Sequence, residues 1–133
     1  MSIIDWSPAY TVNNAALDAQ HQEIFSIINE LHSSLLSHDK RQDAFAVAIR
    51  ELLEHARMHF ADEERQMLAV NYPDLREHQA AHAELIRKAL EIEKRPKETS
   101  ESIGPELLGF LIIEWVVMHM LVDDKKFAPY LKH

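Results

Sequence analysis

Nine histidines and no cysteine in a chain of 133 residues make imidazole, not thiolate, the metal- and proton-handling chemistry available. Two spacings concentrate it: His59 with Glu63, and His78 with His82, each stand four residues apart. On an α-helix such a pair shares a face, offset by roughly 40° and about 6 Å along the axis, so each pair can point into one cavity. Neutral imidazoles donate lone pairs and a carboxylate offsets positive charge, which together suit a metal ion. A lone histidine on an apolar face is more often a hydrogen-bonded core residue, and His-x-x-x-His by itself is common in helices. The whole set, and the elements that position it, must therefore be considered together.

Composition favours helices. Only two glycines and five prolines punctuate the chain, while Ala, Leu, Glu, Gln, Lys and Arg are abundant. The expected fold is all-α: an up-down-up-down antiparallel four-helix bundle, formed as one domain over residues 1–133. Residues 1–17 form an N-terminal arm. Helices follow at about 18–37, 40–70, 74–94 and 105–123, and Phe127-Ala128-Pro129-Tyr130 closes the chain with a short helix or turn. Asp39 can cap the second helix, Asp74 with Glu77 reads as a capping-box variant opening the third, and Pro105 suits the first position of the fourth.

The inward seams follow from three-to-four spacing. They are His21, Ile24, Ile28, Leu31 and Leu35 in the first helix, and Phe45, Ile49, Leu52, Ala56, His59, Glu63 and Met67 in the second. The third carries Leu75, His78, His82, Leu85, Ala89 and Ile92, and the fourth Leu108, Ile112, Trp115, His119 and Val122. Five histidines and one glutamate thus fall where apolar residues belong, and a buried polar group costs kilocalories unless it is paired. In an antiparallel bundle, His21 early in the first helix, His59 late in the second, His78 and His82 early in the third and His119 late in the fourth all lie toward one end. A shared cation accounts for that agreement in depth. His32, His38 and His133 read as solvated, and His55 as a boundary residue.

The sequence resembles the hemerythrin family, the single-domain bacteriohemerythrins in particular, over nearly its whole length. The resemblance is carried by Trp6, by Leu17-Asp18-Ala19-Gln20-His21, by His59-Phe60-Ala61-Asp62-Glu63-Glu64 with Met67, and by Tyr72-Pro73. It continues through His78-x-x-x-His82 and His119-Met120-Leu121-Val122-Asp123-Asp124-Lys125-Lys126. It implies a non-haem di-iron centre. His78, His82 and His119 would hold one iron, and His21 and His59 the other. Glu63, Asp124 and an oxo or hydroxo group would bridge them. Helix geometry and the family pattern part at one ligand: four residues from His119 is Asp123, whereas the family spacing selects Asp124, about 140° around an ideal helix from His119. A π-turn or an unwinding helix end would turn Asp124 inward. Asp123 is then expected to be solvated.

The resemblance further implies reversible O₂ binding for transport, storage or delivery, without enzymatic turnover. Ile24, Phe60, Trp115, Met120 and Leu121 would form an apolar O₂ pocket, and none of them can act as an acid–base catalyst. One rival is a di-iron oxidase or peroxidase, but no Glu is followed three residues later by His, the pairing of ferritin-like di-iron bundles. Another is an O₂, redox or NO sensor reporting to a separate partner. The net charge of −8 disfavours nucleic acid. No signal peptide is apparent at the N-terminus, and the apolar run from Leu107 to Val122 contains Glu114 and is short for a membrane span. A monomer free in the cytoplasm is expected.

Overall fold

The computed structural model describes residues 3–36, 41–94, 106 and 108–131, without the side chains of 34–36 and 41–46. His38, His133, the Asp39 cap, the Pro105 start, and the seam side chains of Leu35 and Phe45 lie outside these described parts. The described residues form helices and turns only, and among them no helix is long and apolar enough to cross a membrane. The chain is all-α and folds as the expected bundle. Its helices are α1 (Ala15–Leu36), α2 (Arg41–Ala69), α3 (Leu75–Glu93), α4 (Leu111–Asp123, preceded by helical residues 108–110) and α5 (Asp124–Leu131). Helix α1 packs on α2, α2 on α3, and α3 on α4.

Helix α1 opens three residues earlier than the apolar period indicates, because Asn14 caps it: its side-chain oxygen accepts from the Leu17 amide at 3.0 Å. Asp18 is left to tie the arm down, accepting from Thr11 Oγ1 at 2.5 Å and from the Val12 amide at 2.9 Å. The arm is anchored again where Asn29 bonds both the amide and the carbonyl of Ile4. Between α2 and α3, Asn71 takes the left-handed conformation with φ 56°. The Tyr72 amide then reaches the Met67 carbonyl at 2.9 Å and the Asn71 amide the Leu68 carbonyl at 3.2 Å, a Schellman closure. The expected capping box at α3 does not form, for Asp74 stands at the N-cap but makes no side-chain cap.

Helix α4 departs most from expectation. It is wound as a π-helix from Leu111 to Asp123, and the Asp124 amide bonds the carbonyl of His119, five residues back. Its buried residues are Leu111, Trp115, Val116, His119 and Met120, a repeat of four to five rather than three to four. That longer repeat is why Val122, expected on the seam, is exposed and Ile112 is only half-buried.

The remaining seams are buried as spaced, apart from Leu75 and Leu108, which are half-buried. Ile24, Ile28, Leu31, Ile49 and Leu52 are at most 1% exposed and contribute about 1.5–3 kcal/mol each by burial. They belong to a large apolar cluster that includes Phe60 and Trp115, while Val12, Leu17, Met67, Tyr72, Phe127 and Ala128 form a smaller one. The histidines are gripped from both. Phe60 of the large cluster stacks on His82 with ring centroids 3.9 Å apart, and Tyr72 of the small one meets His78 edge-on at 6.3 Å.

Candidate metal centre

Among the described residues, seven polar or charged ones are buried: His21, His59, Glu63, His78, His82, His119 and Asp124. They are the seven that the sequence singles out. The structure brings them together as two groups, His78, His82 and His119 on one side and His21 and His59 on the other, with Glu63 and Asp124 belonging to both. In each group the potential ligand atoms lie within 4.8 Å of one another.

The carboxylates divide their oxygens between the groups. Glu63 Oε1 lies 2.8 Å from His78 Nε2 and 3.0 Å from His82 Nε2, while Oε2 lies 3.5 Å from His59 Nε2 and 3.7 Å from His21 Nε2. Asp124 Oδ1 lies 2.9 Å from His78 Nε2 and 3.2 Å from His119 Nε2, and Oδ2 lies 3.2 Å from His21 Nε2. The π-winding of α4 sets this up: Asp124 is fully buried, and five residues on from His119 it faces the same space.

Outer partners fix three of the rings. His59 Nδ1 donates to Gln20 Oε1 at 2.7 Å, and the Gln20 amide nitrogen donates to Asp62 at 2.8 Å, which sets the orientation of the amide. His82 Nδ1 bonds Glu64 at 2.7 Å, and His119 Nδ1 meets Asp123 at 3.4 Å. Protons held on these outer nitrogens leave Nε2 a bare lone pair facing inward. Sequence reasoning missed Gln20 and Glu64, since both lie off the apolar seam and only three-dimensional proximity reveals them. Asp123 is half-exposed, as expected, yet engaged with His119 rather than free in solvent.

The residues fit a metal. His21 Nε2, His59 Nε2, Glu63 Oε2 and Asp124 Oδ2 are buried without any hydrogen-bond partner. Such orphaned atoms are rare and costly unless something unseen satisfies them. Here the four come from two imidazoles and two carboxylates, all potential metal ligands, and their side chains crowd together in one group. Charge balance within the metal-free chain agrees. Burial alone would depress His21 and His78, but Asp124 and Glu63 beside them prevail and push both up to about 9. His59 is driven down to about 4 by burial. Burial and Glu63 oppose ionisation of Asp124, yet the surrounding imidazoles hold both its carboxyl and that of Glu63 below the usual range.

Of the apolar residues placed around the centre, Ile24, Phe60, Trp115 and Met120 are buried in the large cluster and Leu121 is half-buried. Phe60 touches both groups, with its ring 5.7 Å from those of His59 and His119. Trp115 is fully buried with its indole N–H unpartnered. His55 is half-buried and outside both groups, as a boundary residue should be. His32 corrects an expectation: it is half-buried rather than solvated, and its Nδ1 is enclosed without a partner. It sits directly beyond Leu31 on α1, where the packed face curves around.

A helical bundle whose interior carries two overlapping sets of imidazole and carboxylate donors is a metal-binding protein by construction. The hemerythrin HHE cation binding domain matches residues 12–131, and the chain belongs to the hemerythrin family. It is 31% identical to a bacteriohemerythrin of Pseudomonas aeruginosa over 133 residues, covering 100% of this chain and 84% of that one. It is 26% identical to a bacteriohemerythrin of Methylococcus capsulatus, covering 98% of each. A hemerythrin-like protein of Naegleria fowleri is 29% identical, covering 98% of this chain and 95% of that one. In fold it matches a crystal structure of wild-type hemerythrin with a TM-score of 0.79 at 23% identity, covering 99% of this chain and 100% of that one.

Proposed function

We propose that this chain binds O₂ reversibly at a non-haem di-iron centre and acts as an oxygen carrier or store in the cytoplasm, not as an enzyme. The reading rests on one observation: two donor groups share Glu63 and Asp124 yet differ in imidazole count, three against two. Two irons held there would supply a ferrous pair able to lend electrons to O₂ and take them back. His78, His82 and His119 would saturate one side. His21 and His59 would leave room on the other for an exogenous ligand. Glu63 and Asp124 would bridge the two.

The chain's own residues favour reversibility over turnover. Ile24, Phe60, Trp115, Met120 and Leu121 carry no group that can deliver a proton at neutral pH, and the indole N–H of Trp115 donates a hydrogen bond without ionising. An apolar wall excludes the water that would protonate and release reduced oxygen. Nor does the chain offer the carboxylate-rich pairing of ferritin-like oxidases. Asp18, three residues before His21, is committed to Thr11 and Val12 instead. Family membership supports an O₂-binding role. The test is metal analysis together with absorption spectra under argon and air. Two irons per chain, and a colour that appears with O₂ and fades on its removal, are expected. Irreversible oxidation with no oxygenated form would overturn the carrier reading.

A further inference from the structure

A centre this enclosed raises the question of how its metal arrives. Six of the seven ligand candidates are at most 3% exposed, and the seventh, His78, is 5% exposed. His78 also lines a cleft of about 250 Å³ together with Tyr72, Asp74, Glu77, Asp123 and Lys126. It is alone among the five histidines in a second respect. The outer nitrogens of His59, His82 and His119 are bonded and that of His21 is sealed in, whereas His78 Nδ1 has no hydrogen-bond partner among the described residues and is not among the sealed atoms.

The cleft's walls carry three carboxylates against one ammonium. Acidic residues in the first turn of a helix complement its dipole, and that alone could account for Asp74 and Glu77 at the start of α3. It does not account for Asp123, which comes from the end of α4 and faces the same space. Nor are the two carboxylates of α3 spent on local structure: among the described residues neither the Asp74 nor the Glu77 side chain has a hydrogen bond or ion pair, and the capping box they could have formed is absent. A negatively lined cleft with low-dielectric walls concentrates cations at its floor. At that floor stands a nearly buried imidazole with one nitrogen bare and the other against Glu63 and Asp124.

We propose that this cleft is the entry port of the centre, where Asp74, Glu77 and Asp123 capture a hydrated divalent cation and pass it inward past His78. The proposal rests on the metal-centre reading above. Lys126 opposes it electrostatically and sets a limit on the rate.

The test is the rate at which metal-free protein takes up cobalt(II), followed by its visible absorption, and iron(II) under argon. Asp74→Asn with Glu77→Gln is expected to slow uptake about tenfold at low salt and leave the final metal content unchanged. Lys126→Gln is expected to speed it severalfold, and both differences should shrink in high salt. The opposite signs separate a port from general damage. Glu54→Gln with Glu93→Gln, which alters a different cleft lined also by Arg50 and Arg57, should change nothing. An unchanged rate in the first double variant, an equal slowing in the second, or a lower final metal content would overturn the port. No uptake by the unaltered chain would instead overturn the metal centre itself.

Discussion

His82 and His119 direct their Nε2 atoms at each other across 3.1 Å. Glu64 and Asp123 stand at the outer nitrogens of the two rings. With protons held there, the inner nitrogens confront each other as lone pairs, a repulsive contact unless a proton or a cation lies between. A metal bonded to both removes the conflict, and the same cation would neutralise part of the charge on Glu63 and Asp124. His119→Ala should therefore empty the three-imidazole side, lowering metal content from two per chain toward one. His59→Ala should do the same on the other side. Metal analysis of gel-filtered protein reads both, and retention of two metals in His119→Ala would refute the assignment.

The residues behind the ligands make a graded prediction. Glu64→Ala and Gln20→Ala each release a ring from its set tautomer and orientation, for a loss of about 10- to 100-fold in metal affinity. Competition against a chelator measures this. Arg87→Ala, which breaks an exposed ion pair with Glu84 and Glu91, is the control and should leave both metal affinity and melting temperature essentially unchanged.

The metal-free chain should be stable within a bounded pH window. His21 and His78 have folded pKa values raised to about 9, above the ordinary 6.5, so their contribution is full below 6.5 and fades as pH rises through 9. His59 is lowered to about 4, so its contribution is present above 6.5 and fades as pH falls through 4. Glu63 and Asp124, both held low, add to the loss on the acid side. Melting temperature against pH should peak near neutrality and decline toward pH 10; a continued rise from pH 7 to 10 would contradict the shifts. Loading metal at pH 7 must also expel the protons on His21 and His78, a release measurable in weakly buffered solution.

Much of this was legible because two simple periods coincide. In α1, α2 and α3 the 3.6-residue repeat places His21, His59, Glu63, His78 and His82 on the apolar seam, and nothing else on that seam is charged. The Asn14 cap of α1 and the missing side-chain cap at Asp74 were less legible, since an apolar period does not register the polar side chains that decide a terminus. Gln20 and Glu64 were invisible for a related reason. Each reaches a histidine on a different helix, across a contact that no spacing within one segment encodes.

Asp124 is the remaining case, where helix periodicity and family pattern disagree. Ideal α-winding favours Asp123, four residues from His119, whereas the structure winds α4 as a π-helix and buries Asp124 instead. A π-helix is intrinsically disfavoured, and such winding recurs where a functional residue must be re-aimed. Here it also places Trp115 and Met120 inside and leaves Val117, Met118 and Val122 outside, so the whole face of the helix shifts with Asp124. Two single substitutions separate the carboxylates. Asp124→Asn leaves one oxygen to serve two groups and removes the negative charge they share, so it should impair both metals and abolish the O₂-dependent spectrum. Within the centre Asp123→Asn reaches the outer nitrogen of His119 alone, at 3.4 Å, so both metals should remain at equilibrium with an affinity loss of tenfold or less. If Asp123→Asn proved the more damaging, the winding of α4 and the ligand it presents would both have to be reassigned.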